Sequence, residues 1–250
     1  MNKENVLFSI VGVLLGFIVG FVFANTVNKN GAVVQTAAAA TQQAEGLPPG
    51  HPAVDPSKLQ PQPDMAAVTA ALKLADDQPT NFDAQTAAAR FASQVERYDD
   101  AVKYLTRANR IKPDDYETTV ALGNACFDGE KFADAEKWYA QALQKKPDDV
   151  NVRTDMGLTL LLREPPQFDR AIAEFKESLR REPNHVQTLQ NLTVAYTRKG
   201  DTASAQAALD KLQAASPQSQ ALAQLRADIE KARAASQTPA ETSAAQKAGK

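Results

Sequence analysis

The sequence has few of the residue types that most catalytic and metal sites require. Its 250 residues include one cysteine, Cys126, and two histidines, His51 and His185. A single cysteine excludes an internal disulfide, and no cysteine or histidine pair has metal-ligand spacing. Phosphate-binding glycine loops, nucleophile elbows and HExxH motifs are missing as well. We therefore expect no cofactor and no metal, and we predict that the protein is not an enzyme.

Charge of one sign is also lacking. The chain has 28 basic and 30 acidic residues and a formal net charge of −2. This balance gives no electrostatic footprint for nucleic acid, so we expect no nucleic-acid partner. Cys126 falls on an apolar helical stripe, which predicts a buried structural thiol and not a reactive one.

Prolines recur at a nearly constant spacing in the C-terminal two thirds of the chain. Successive intervals of 34, 34, 36 and 34 residues separate Pro79, Pro113, Pro147, Pro183 and Pro217. A period of this size is typical of repeat proteins, in which each unit buries its apolar face only by stacking on its neighbours. Such an array predicts a surface for partners and not a reaction centre.

Each repeat contains the pattern of two amphipathic helices, seen most clearly in residues 116–149. Gly129 is predicted to break the first helix, and Pro147 ends the second because the residue before a proline is pushed out of the helical region. Small residues such as Gly123 and large ones such as Tyr139 predict close packing of the helix pair. Apolar residues recur at helical spacing, first at Val120, Leu122, Ala125 and Cys126 and then at Phe132, Ala135, Tyr139, Ala142 and Leu143.

This 34-residue helix–turn–helix pattern resembles the tetratricopeptide repeat (TPR) family, in the form of a membrane-anchored bacterial TPR protein. Within residues 79–219, four units match: 82–115, 116–149, 150–185 and 186–219. The resemblance implies an all-α TPR helix–turn–helix solenoid, a right-handed superhelix, preceded here by an N-terminal transmembrane helix. The tryptophan usual near the start of each unit is replaced by Gln85, Thr119, Arg153 and Leu189.

Two further features modify the array. Residues 163–169 carry two extra residues, which predict a longer and stiffer turn in the third unit. This turn is either a tolerated insertion or a contact point for a partner. Because terminal repeats expose core, we predict capping helices over residues 64–78, with Asp64 as N-cap, and over residues 220–234.

A long uncharged stretch follows the short N-terminal tail, residues 1–5. Residues 6–24 would span about 28 Å as a helix, which is close to the thickness of a bilayer's hydrocarbon core. We predict a single-pass membrane anchor; a cleaved signal peptide is the alternative, although its apolar region is usually shorter. Gly12, Gly16 and Gly20 are spaced for packing against another membrane helix, which would give a homo-oligomer, or they reflect the frequency of glycine in such helices.

The remaining segments have no apolar periodicity. Residues 25–63 are rich in Pro, Ala and Gln and predict a tether, and residues 235–250 predict a disordered tail. With the N-terminus in the cytoplasm, the repeats would be extracytoplasmic, and periplasmic in a diderm bacterium.

The TPR resemblance implies that a protein or peptide partner binds in a concave groove lined by the first helix of each unit. This predicts a membrane-tethered protein–protein interaction scaffold. The alternative is an assembly factor that holds apo-protein substrates, like the membrane-anchored TPR subunits of c-type cytochrome maturation. A carboxylate clamp is not expected, because Thr86 and Ala121 stand at two of its positions. The candidate groove residues are Arg90, Gln94, Val120, Asn124, Phe127, Asp128, Thr154, Asp155, Leu158, Leu161, Gln190, Asn191, Val194 and Arg198, with packing of Leu158 and Leu161 between units as the competing interpretation.

Overall fold

A computed structural model of the protein describes residues 64–237, and this part of the chain consists of ten α-helices joined by short turns. No helix in this range is long and apolar enough to cross a bilayer. The predictions for residues 1–63 and 238–250, including the membrane anchor 6–24 and the ridge of Gly12, Gly16 and Gly20, lie outside the described residues. Helices α1 to α10 span Met65–Asp77, Phe82–Gln94, Tyr98–Ile111, Tyr116–Asp128, Phe132–Lys145, Val150–Leu162, Phe168–Arg181, Val186–Lys199, Thr202–Ala215 and Ala221–Gln237.

Each helix packs mainly against the helices next to it in the chain. The pairs α2–α3, α4–α5, α6–α7 and α8–α9 form four helical hairpins, one in each of the ranges that the proline spacing marks. Further contacts join α6 to α8 and α8 to α10. The prediction of an all-helical array of helix–turn–helix units is therefore confirmed for the described residues.

Short polar side chains cap the N-terminal ends of several helices. Asp64 accepts a hydrogen bond from the backbone N–H of Ala66, as predicted for the cap of α1. Asp115 and Asp149, which follow the punctuating prolines, cap α4 and α6 in the same manner. An N-cap acceptor of this kind contributes about 1 kcal/mol to helix stability.

The turns inside the hairpins differ from the prediction in one respect. Gly129 does follow the end of α4, but its φ is −83°, a value that any residue adopts. The left-handed residue is the next one, Glu130, at φ 57°, and Glu96 takes the same conformation at φ 59° in the first hairpin. Only the fourth hairpin places a glycine, Gly200, at this position, with φ 88°.

The residues that replace the usual tryptophan make different contacts in different units. Leu189 is fully buried, whereas Arg153 binds Glu174 through a contact of 2.8 Å. Gln85 is also fully buried, and its Nε2 donates to the carbonyl oxygens of Ala75, at 2.6 Å, and of Gln78, at 3.0 Å. Gln85 therefore ties the first hairpin to the C-terminal end of α1.

The longer turn of the third unit is tied back to the unit before it. Arg163, just after the end of α6, donates to Glu136 at 2.7 Å, and Arg170, in the first turn of α7, donates to the same carboxylate at 2.6 Å. Glu136 lies on α5, so the turn bridges two hairpins.

The last helix is longer than predicted. It continues to Gln237, so residues 235–237 are helical and do not belong to a disordered tail. The two alanines at 234 and 235 explain the extension, because alanine has the highest helix propensity.

Candidate functional site

The structure divides the fourteen candidate groove residues into two sets. The buried set, less than a tenth exposed, comprises Phe127, Thr154, Leu158, Leu161 and Asn191. The accessible or half-buried set lies on the first helices of the four hairpins. We call it the first-helix surface, and it comprises Arg90, Gln94, Val120, Asn124, Asp128, Asp155, Gln190, Val194 and Arg198.

The three apolar residues of the buried set belong to the core. Leu158 and Leu161 are each 1% exposed. They lie on α6, which packs against α5, α7 and α8 and so has little surface left for solvent. The ring of Phe127 packs edge to face against Phe132, with 5.6 Å between the ring centroids. The expectation that these three residues line an accessible groove is therefore wrong, and the interpretation of Leu158 and Leu161 as packing residues is correct.

The two polar residues of the buried set, Thr154 and Asn191, differ in their hydrogen bonding. Thr154 donates to the carbonyl oxygen of Val150 at 2.7 Å, and its Oγ1 lies 2.6 Å from that of Thr188 on α8. This pair of hydroxyls joins the third hairpin to the fourth. Asn191 is 5% exposed, and its Nδ2 is a buried donor without a hydrogen-bond partner among the described residues. Neither side chain lies on the surface of the folded chain.

Asn124 is held in place by a residue of the second helix in its hairpin. The hydroxyl of Tyr139 donates to Asn124 Oδ1 at 2.9 Å. The Tyr139 ring is 2% exposed, and burial raises the pKa of its hydroxyl well above the ordinary value, so the group remains a donor. Sequence reasoning assigned Tyr139 to packing alone and missed this support, since the periodicity of apolar residues does not reveal a tyrosine hydroxyl's partner.

Two unpaired carboxylates occupy the middle of the first-helix surface. Asp155 is half-buried, and its carboxylate has no hydrogen bond or ion pair among the described residues. Burial and, to a smaller extent, the negative charges of Asp149 and Asp128 together raise the pKa of Asp155 to about 7. Burial also raises the pKa of Asp128 to about 6. Asp128 is more exposed than Asp155, so water screens its charge more effectively.

The ends of the surface carry the basic residues. The guanidinium of Arg90 lies 5.0 Å from the centroid of the Phe91 ring. At the other end, Arg198 donates to the carbonyl oxygen of Leu161 at 3.2 Å, and its guanidinium lies 5.6 Å from the Phe168 ring. The first-helix surface thus combines acceptors in its middle with donors at its ends, an arrangement that can bind a polypeptide chain.

Metal-binding chemistry is not represented in the described part of the chain. Residues 64–237 contain no group of three His, Cys, Asp or Glu side chains that could hold a metal ion. Cys126 is 1% exposed, and burial raises the pKa of its thiol to about 11, as expected for a structural cysteine.

Solved structures with the same architecture include several repeat proteins. YrrB, described as a TPR protein with an unusual peptide-binding site, gives a TM-score of 0.57 at 20% identity, covering 65% of this chain and 82% of YrrB. PilW, described as a widely conserved type IV pilus biogenesis factor, also gives 0.57, at 24% identity and with 68% and 77% covered. MamA gives 0.54 at 18% identity, with 60% and 86% covered. At these identities the similarity shows the fold alone.

Sequence comparison identifies the family. No curated protein matches the chain significantly. The family model described as the Cilia and flagella-associated protein 70 middle TPR-like domain matches residues 92–246, which is more than half of the chain. The match begins near the end of α2 and covers α3 to α10, so helix pattern and family model agree over three complete hairpins. The chain belongs to the family of the Cilia and flagella-associated protein 70 middle TPR-like domain.

Proposed function

We propose that the protein is a scaffold that binds a partner polypeptide on its first-helix surface. The accessible side chains of this surface come from the first helix of every hairpin, so a peptide lying across the hairpins would meet several units in turn. YrrB, a protein of the same fold, is described as having a peptide-binding site. We propose no catalytic activity, because neither the sequence nor the described residues bring together a reactive group and an activating base.

Asp155 gives the strongest support for this function. A half-buried carboxylate without a partner disfavours its own ionised form, and the fold gains nothing from it. A cationic side chain supplied from outside would restore the lost interaction. We therefore propose that the partner places a lysine or arginine near Asp155, with Asn124 supplying a hydrogen-bond donor from the first helix of the preceding hairpin, α4.

Site-specific photo-crosslinking in cells tests the binding surface. With p-benzoylphenylalanine at Val120 or Gln190, both half-buried on first helices, we expect a specific crosslinked partner that mass spectrometry can identify. Ala133 is exposed on the second helix α5 and serves as the matched control. Crosslinks of equal yield from Ala133, or none from Val120 and Gln190, would rule out the first-helix surface.

A charge substitution then tests the role of Asp155. Asp155→Lys should abolish the crosslink from Val120, whereas Asp114→Lys, at an exposed turn residue, should not. Leu158 is unsuitable for this test, because a charge at a fully buried position would unfold the array and remove binding for that reason alone.

We further propose that residues 6–24 anchor the scaffold in a membrane as a single span, with the repeats outside the cytoplasm, in a bacterial cell. The support is the uncharged stretch of about bilayer length. Protease treatment of intact spheroplasts should then degrade the repeats, and the mass of the mature protein distinguishes a retained anchor from a cleaved signal peptide. Self-association through Gly12, Gly16 and Gly20 predicts that Gly16→Leu weakens crosslinking between copies.

A second candidate function is that of an assembly factor that holds unfolded or apo-protein substrates. PilW, which shares the fold, is described as a type IV pilus biogenesis factor. As an assembly factor, this chain would also hold its substrate on the first-helix surface. Binding of an unfolded apocytochrome peptide, compared with the folded holoprotein, separates the two candidates. Preference for the unfolded chain would favour the assembly factor.

A further inference from the structure

A cavity of about 360 Å³ lies between α8, the first helix of the fourth hairpin, and two second helices, α7 of the third hairpin and α9 of the fourth. Leu192 and Tyr196 of α8, Leu179 of α7 and Ala208 of α9 form its apolar floor. Its volume is near the lower end of the roughly 300–1,000 Å³ typical of ligand pockets. The first-helix surface uses other residues of α8, so the cavity is a separate site and does not rest on the function proposed above.

At one position of the repeat that lines this cavity, Ala208, the fourth hairpin has only a methyl group. Ala208 stands three residues after Ala205, a small residue that is fully buried in the fourth hairpin. At the same distance from the matching alanines, the three preceding hairpins carry larger side chains. These residues are Tyr104, Trp138 and Glu174.

Basic side chains surround the apolar floor. Lys176 and Arg180 line the cavity from α7, one helical turn apart, and Lys211 lines it from α9. Neither Lys176 nor Lys211 has a carboxylate within 4.0 Å among the described residues, whereas Arg180 pairs with Glu177 at 2.5 Å. No acidic residue within 64–237 lines the cavity. The three cations therefore approach the floor from two helices, α7 and α9, that both pack against α8.

We propose that this cavity binds an acidic peptide segment of a partner protein, with one large apolar side chain on the floor and carboxylates at the rim. The cations come from three positions on two helices, an arrangement that suits several carboxylates along a chain better than a single small anion. The apolar floor supplies hydrophobic contact, and the lysines supply charge selection and salt dependence.

Fluorescence anisotropy with the purified full-length chain tests the site. The probe is a labelled dodecapeptide with one leucine, two glutamates on each side of it, and serine and glycine elsewhere. We expect binding at or below about 1 mM, weakened several-fold when salt rises from about 50 to about 300 mM. Matched probes with glutamine for glutamate, or serine for leucine, should bind at least about tenfold more weakly.

Variants of the chain assign the binding to the cavity. Ala208→Trp introduces the side chain that Trp138 provides in the second hairpin and should weaken binding of the acidic probe about tenfold. Ala203→Trp, on the exposed surface of α9, should leave this binding unchanged. Lys176→Gln combined with Lys211→Gln should weaken it to a similar extent. The control for this pair removes the same charge elsewhere, at Lys73 and Lys231.

Several results would overturn the inference: no binding of the acidic probe, equal binding of the glutamine probe, or unchanged binding in both Ala208→Trp and the double lysine variant. The lysine variant keeps the test decisive even if the tryptophan disturbs packing. A failed crosslink from Val120 would contradict the function proposed for the first-helix surface and leave this experiment unaffected.

Discussion

Gly123 lies against the ring of Tyr139 so closely that a Cβ atom at position 123 would be 2.5 Å from Cε1 of the ring. The third hairpin repeats the relationship, with 2.6 Å from Gly157 to the Phe175 ring. In the first and fourth hairpins the matching pairs are Ala89 with Leu105 and Thr193 with Leu209. The chain thus uses glycine where the facing residue is aromatic, and a larger residue where it is leucine.

We predict that Gly123→Ala lowers the free energy of unfolding by about 1–2 kcal/mol. Overpacking at a well-packed contact costs about 1–3 kcal/mol, and the better helix propensity of alanine offsets part of this. Urea denaturation followed by circular dichroism measures the change.

In the Tyr139→Leu background, Gly123→Ala should lower the free energy of unfolding much less than it does in the wild type. The double variant has the same pair of residues as the first hairpin, alanine facing leucine. Additive effects of the two substitutions would contradict the steric explanation.

The turn residues give a second prediction. Glu130 has φ 57° and its carboxylate has no partner among the described residues, so Glu130→Gly should stabilise the protein by about 0.5–1 kcal/mol. Gly200→Ala should destabilise it by about 1 kcal/mol, although no atom lies within 4 Å of the added Cβ, because φ is 88°. Thermal unfolding measures both, and a gain in stability for Gly200→Ala would refute the conformational argument.

Gln85 gives a third prediction, about the first cap. Gln85→Leu introduces an apolar side chain of similar size, like Leu189 in the fourth unit, but leaves the carbonyl oxygens of Ala75 and Gln78 without their side-chain donor. We expect the free energy of unfolding to fall by about 1–3 kcal/mol, with the effect confined to the contact between α1 and α2. Hydrogen exchange should become faster in α1 and remain unchanged in α8 and α9; uniform acceleration along the array would contradict this role.

The helices and their hairpin arrangement were predictable from sequence because proline spacing and apolar periodicity report directly on helix ends and buried faces. Gly123 and Tyr139, Asp64 and Cys126 all behave as the pattern indicates. Each of these properties depends on residues within one hairpin or on the residue's own burial.

The accessible surface was less predictable, because it depends on how closely neighbouring hairpins approach. Thr154 is polar and was expected at the surface, but Thr188 of the next hairpin encloses it. Phe127 was expected in the groove, but the turn of its own hairpin brings Phe132 against it. The left-handed conformation of Glu130 was also missed, since glutamate carries no sequence signal for positive φ.

Asp155 gives a prediction of how stability depends on pH. Its pKa is about 7 in the folded protein, against about 3.9 in an unfolded chain, so between these values the folded state binds more protons. The free energy of unfolding should therefore fall as pH rises from about 4 to 7, because this carboxylate must ionise in a half-buried place. Asparagine cannot ionise and avoids this cost.

We predict that Asp155→Asn equals the wild type in stability near pH 4 and exceeds it by at least about 1 kcal/mol at pH 8. Urea denaturation at several pH values measures the difference, with Asp114→Asn, an exposed carboxylate in a turn, as the control that should show no such trend. A partner that supplies a cation at this site should bind the wild type more tightly than Asp155→Asn, since the cation favours ionised Asp155. Asp155→Asn should then be more stable alone and bind more weakly, and a variant that is less stable at pH 8 would show that the carboxylate serves the fold.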